Sequence, residues 1–138
     1  MLSARNQIKG RVKEINEGAV NGIVKLEAAG GNCISATISM ESIRELGLVP
    51  GKDATAVVKA TDVMMALDFV KISARNQIKG TVVSVKDGTV NSIVKLDTAG
   101  GIGITSTISM EAVKELGLVP GKEAVAVIKA TNVMISVD

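Results

Sequence analysis

Residues 33–51 read CISATISMESIRELGLVPG, and the fold turns on a change of period inside that stretch. Ile34, Ala36 and Ile38 alternate with Ser35, Thr37 and Ser39. A period of two marks a strand with one buried face. From Met40 the alternation stops. Ile43 and Leu46 stand three apart, with Gly47 directly after them, which predicts a short helix ended by glycine. Val49-Pro50-Gly51 then turns the chain. Upstream, residues 6–15 (NQIKGRVKEI) and 20–28 (VNGIVKLEA) predict two strands, the first ending at Asn16-Glu17-Gly18 and the second closed by Ala29-Gly30-Gly31. Downstream, residues 54–60 (ATAVVKA) and 63–67 (VMMAL) predict a fourth and a fifth. Three strands, a short helix and two strands is the order of the OB-fold, a five-stranded Greek-key barrel.

The whole pattern occurs twice. Residues 3–68 align on 73–138 at a constant offset of 70, without a gap, with 42 identities in 66 positions. SARNQIKG (3–10, 73–80), TISME (37–41, 107–111), ELGLVPGK (45–52, 115–122) and KAT (59–61, 129–131) are unchanged. RVKEINEGA (11–19) keeps only Val12 and Gly18. The predicted class is therefore all-β with short helices, as two tandem OB-fold units at 1–68 and 73–138. The linker, 69–72, is too short for a flexible tether, so the units should pack together. Units this small have small cores, and further assembly between chains is expected on that ground.

Composition narrows the function. Apolar residues make up 46% and charged residues 22%, as in soluble globular proteins. Phe69 is the only aromatic residue and the net charge is +2. Bases would find no stacking platform and phosphates no basic stripe, which argues against nucleic acid as a partner. The absence of histidine removes imidazole acid–base catalysis and imidazole metal ligation. There is no Ser-His-Asp set, P-loop or GxGxxG. Glu14, Glu17, Glu27, Glu41, Glu45 and Asp53 show no spacing of a catalytic pair or calcium loop. An enzyme is not expected, nor a cofactor. Cys33 stands alone and faces Gly103 in the second copy, so no disulfide framework exists, which fits a reducing compartment. With no 18-residue apolar run and no signal-type N-terminus, the expected location is cytoplasmic and away from membranes.

Three clusters could carry chemistry. Ser39 and Ser42 flank a helix start, where Ser39 can cap the first turn or, with free N–H groups, face an anion. Glu41 opposes the second role unless it points away. In the second copy the pair becomes Ser109 and Ala112. Lys59-Ala60-Thr61 and Lys129-Ala130-Thr131 close the fourth strands and offer an ammonium beside a hydroxyl, a donor set suited to a tetrahedral oxyanion. Ser3 and Arg5, with Ser73 and Arg75, offer hydroxyls and guanidinium forks; the plainer alternative is a surface arginine, with Asn6 and Gln7 bonding nearby backbone.

SARNQIKG, GAVN (18–21; GTVN at 88–91), TISMES, ELGL and KAT together resemble the molbindins, the Mop domains that bind molybdate. The resemblance covers both halves. It implies oxyanion sites between OB units in a homotrimer of threefold symmetry, with molybdate or tungstate as ligand, in storage, buffering or homeostasis. One class of site would combine Ser3 and Arg5, and Ser73 and Arg75, with Ser39, Ser42, Lys59, Ala60 and Thr61, and with Ser109, Lys129, Ala130 and Thr131, of a neighbouring unit. A second class, near the threefold axis, would involve Asn21 and Asn91. The rival reading is a regulatory or structural OB pair that binds a protein partner.

Overall fold

A computed structural model describes residues 2–138. The first repeat runs β1 (Asn6–Asn16), β2 (Asn21–Ala28), β3 (Cys33–Ser39), α1 (Met40–Glu45), β4 (Asp53–Val58) and β5 (Met64–Ala66). The second runs β6 (Asn76–Asp87), β7 (Asn91–Thr98), β8 (Gly103–Ser109), α2 (Met110–Leu116), β9 (Glu123–Ile128) and β10 (Met134–Ser136). The chain is mainly β and forms two tandem OB-fold units, each a curled sheet of five strands. The change of period is the β3–α1 junction. Ser39 is still extended, and its Oγ accepts the N–H of Ser42 at 3.0 Å. The alternation places Ile34 and Ala36 in a continuous core with Val24, Leu26 and Val58, and with Val94, Leu96, Ile104 and Ile128 of the second repeat.

The order of the strands holds a feature that periodicity does not reveal. One sheet is β10-β4-β1-β2-β3 and the other β5-β9-β6-β7-β8. Each repeat therefore gives its last strand to the sheet of the other: Met64 pairs with Val127, and Met134 with Val57. The crossing between sheets is made at the KAT segments, whereas the linker joins β5 to β6 within one sheet. Ala60, expected at the end of a strand, instead opens a single 3-10 turn, Ala60–Asp62. In that turn the Asp62 N–H reaches the Lys59 carbonyl at 2.9 Å. Such a turn sends the chain onward, where a two-residue hairpin would have folded it back on β4. Val63, directly after it, is buried in the shared core, and its carbonyl accepts the Ser106 hydroxyl. Ala130–Asn132 repeats the turn before β10.

The repeats also meet backbone to backbone. The turn Ala29–Gly31 lies on its counterpart Ala99–Gly101. Gly30 and Gly100 both have φ of 74°. A Cβ on Gly30 would sit 2.4 Å from the Ala99 carbonyl carbon, and one on Gly100 2.5 Å from that of Ala29. Gly31 has a similar φ but open space around it. Gly30→Ala should therefore cost about 3 kcal/mol or more, because a left-handed residue and a clash add. Gly31→Ala should cost only about 1–2 kcal/mol, the conformational part. Urea unfolding of the two variants checks the difference. Among the described residues no helix is long and apolar enough to cross a membrane.

Candidate functional site

Each SARNQ segment leads into the first strand of its repeat and lies against the third strand of the other. The anchor is its asparagine. Asn6 is buried, its Nδ2 donates to the Thr105 carbonyl at 2.8 Å, and its Oδ1 accepts the Thr105 N–H at 2.7 Å. Asn76 does the same with Ser35, at 2.9 and 2.8 Å. An amide presented this way copies one residue of a β ladder. Gln7 bonds the carbonyls of Leu2 and Ala4, near neighbours as the plainer reading expected. With asparagine and glutamine engaged, the serine and arginine of the motif are left at the surface.

Ser3 and Arg5 line a cleft of about 670 Å3 with Lys59, Ala60 and Thr61. Thr107 and residues 134–136 of the second repeat complete the wall. The exchange of strands makes this convergence: the 3-10 turn at Ala60 brings Lys59 and Thr61 to the boundary, and β10 brings Ser136 beside β4. No carboxylate lines the cleft. Among the described residues neither Arg5 nor Lys59 forms an ion pair. Two cations and the hydroxyls of Ser3, Thr61, Thr107 and Ser136 thus face one space, with no opposing charge. Such a set suits a small, doubly charged oxyanion, which needs directed donors to replace its water. Thr107 and Ser136 were not among the expected residues. Thr107 could have been singled out, since it lies in the unchanged TISME.

The other expected residues are distributed differently. Ser39 and Ser42 do not line this cleft; Ser39 caps α1, and its hydroxyl donates to that of Ser42 at 2.9 Å. Ser109 caps α2 in the same way, accepting the Ala112 N–H at 3.1 Å, without a hydroxyl at 112. Ser73 and Arg75 line a separate groove of about 540 Å3 with Glu14, Asn16, Lys25 and Ser35. Lys129, Ala130 and Thr131 lie outside both spaces, on the turn packed against β3, with Ala130 buried and the other two exposed. Asn21 and Asn91 are exposed, directly across the sheet from Ser39 and Ser109. Beside them Val20 and Val90 are 74% and 70% exposed, the most open large apolar side chains described. No group of three or more His, Cys, Asp or Glu side chains among the described residues could hold a metal ion.

The model of the TOBE domain matches residues 2–65 and again residues 72–135. The chain belongs to the TOBE-domain family. Its two TOBE domains are of the Mop type that the motifs resemble, and the relatives carry matching names. The molybdenum transport protein ModE of Herbaspirillum seropedicae is 39% identical over 138 residues, which is 99% of this chain and 51% of ModE. A probable molybdenum-pterin-binding protein of Haemophilus influenzae is 60% identical over 68 residues, 49% of this chain and 99% of that protein. The tandem chain spans about half the length of the curated relatives it matches end to end. Among solved structures, the cytoplasmic molybdate-binding protein ModG, crystallised with molybdate bound, is similar with a TM-score of 0.97 and 47% identity over 99% of each chain.

Proposed function

We propose that this chain binds molybdate reversibly, with tungstate as a close mimic, and acts as a cytoplasmic store or buffer of the oxyanion and not as an enzyme. The observation that carries the reading is the carboxylate-free cleft that gathers Ser3, Arg5, Lys59, Ala60 and Thr61. The likeness to molybdate-bound ModG over the full chain supports the choice of anion and the cytoplasmic address. In this reading, Ser73, Arg75, Lys129, Ala130 and Thr131 serve a second set. Ser39, Ser42 and Ser109 add hydroxyls when a neighbouring unit approaches. A threefold homotrimer brings such units together, with Asn21 and Asn91 near its axis. The exposed Val20 and Val90 beside those asparagines favour a self-contact there, since paired apolar side chains of this size gain by leaving water. Each unit, 1–68 and 73–138, then supplies half-sites, and neither nucleic acid nor membrane is a partner.

Calorimetric titration of the full chain against molybdate, tungstate, sulfate and phosphate tests this directly. Saturable heat with molybdate and tungstate is expected, with sulfate and phosphate weaker. No heat with molybdate, or equal affinity for sulfate, would sink the proposal. Sedimentation in the same solutions measures assembly. A monomer indifferent to the anion would favour the rival interaction module.

A further inference from the structure

We infer that the two anion sites of one chain are unequal, and that Glu14 and its counterpart Ser84 set the difference. The inference rests on the proposed anion binding at both SARNQ segments. It begins from two cross-strand rows. In the first repeat Glu14 pairs with Lys25 and Lys25 with Ser35. Ser35 is the residue that the Asn76 amide grips. In the second repeat Ser84 pairs with Lys95 and Lys95 with Thr105, which the Asn6 amide grips. Each SARNQ segment is therefore pinned beside the row of the opposite repeat. Ser73 and Arg75 share a groove with Glu14, Asn16, Lys25 and Ser35. In the other repeat the Asn6 amide holds the Ser3/Arg5 segment at Thr105, the end of the row of Ser84 and Lys95, and Lys86 stands at the position that corresponds to Asn16.

The rows differ in charge. Around Ser73 and Arg75 the carboxylate of Glu14 lies 3.4 Å from the Lys25 ammonium and offsets it. Around Ser3 and Arg5 the corresponding acid is a serine, Lys95 has no carboxylate partner among the described residues, and Lys86 adds a second ammonium. The Ser73/Arg75 surroundings carry no net charge at positions 14, 16 and 25, whereas the counterparts 84, 86 and 95 carry two positive charges. Positions 14 and 16 fall in the stretch 11–19 that diverged most between otherwise matching repeats, whereas position 25 is lysine in both. A doubly charged anion responds to each such unit charge with twice the energy of a monovalent one, and salt reduces the response. The Ser3/Arg5 site should bind about tenfold more tightly at low ionic strength, a gap that narrows as salt rises.

Exchanging the two residues tests the idea. Both positions lie on the sheet surface, so Glu14→Ser and Ser84→Glu should fold. Calorimetry with molybdate at low ionic strength, with Arg5→Gln and Arg75→Gln assigning the heats, should resolve two classes in the unmodified chain. Glu14→Ser should tighten the Arg75 class by about threefold to tenfold and leave the Arg5 class unchanged. Ser84→Glu should weaken the Arg5 class by a similar factor. Two classes that ignore both exchanges, or that respond in the opposite sense, would overturn this inference while leaving molybdate binding intact. An unmodified chain that gives no heat with molybdate overturns the underlying reading and this one with it.

Discussion

Asn6→Ala combined with Asn76→Ala is expected to remove about 4–8 kcal/mol of stability, enough to unfold much of the population at ambient temperature. Each amide makes two hydrogen bonds, and in both repeats they fall on the N–H and carbonyl of a third-strand residue in the opposite repeat. Alanine leaves that donor and acceptor without partners in a half-buried setting, at about 1–2 kcal/mol for each group. One variant alone should lose about 2–4 kcal/mol. Asn6→Asp keeps the acceptor for the Thr105 N–H but turns a carboxylate toward the Thr105 carbonyl, so it should not rescue the loss. Urea unfolding monitored by circular dichroism measures all three. A loss below about 1 kcal/mol for the double variant would mean that water replaces the amides without penalty.

Lys59→Ala combined with Lys129→Ala should leave the fold unchanged and weaken molybdate binding by about tenfold to a hundredfold per site. Both ammonium groups are exposed, and neither forms a hydrogen bond or ion pair among the described residues, so their removal breaks no contact within the chain. A hydrogen bond from a cation to an anion is worth about 1.5–3 kcal/mol, and 1.4 kcal/mol is a factor of ten in affinity. Lys59→Arg keeps the charge but replaces a compact ammonium with a planar fork, so recovery should be partial. Calorimetry gives the affinity and the number of sites, and urea unfolding shows that stability is unaltered. Unchanged affinity and stoichiometry would remove both lysines from the site.

Much of this molecule could be read in the sequence because its signals are local. The alternation through Ile34, Ala36 and Ile38, the change at Met40 and the glycine at 47 are each set by neighbours within a few residues. An offset of 70 then doubles the result. What escaped the reading depends on distant partners. Nothing in VMMAL or VMISV says which fourth strand it will join, because both repeats present nearly the same edge. The asparagine of SARNQ shows only that an amide is present; its partner is 99 residues away for Asn6 and 41 for Asn76. Ser3 and Arg5 were grouped by motif with Lys59, Ala60 and Thr61 of a neighbouring unit, whereas the cleft takes all five from one repeat and only Thr107 and residues 134–136 from the other. Ser39 and Ser42 were grouped with them as well, but their hydroxyls are engaged in the cap of α1.

The exchange of β5 and β10 bears on how the tandem arrangement behaves on dilution. A single repeat of this design would need a second copy to supply its fifth strand, so its completeness would vary with protein concentration. Joining two repeats through residues 69–72 makes that meeting unimolecular. Over so short a connection, the effective concentration of one half for the other reaches the millimolar range or above. The paired sheets of one chain therefore stay assembled at any dilution, and mass action is left to govern only contacts between chains.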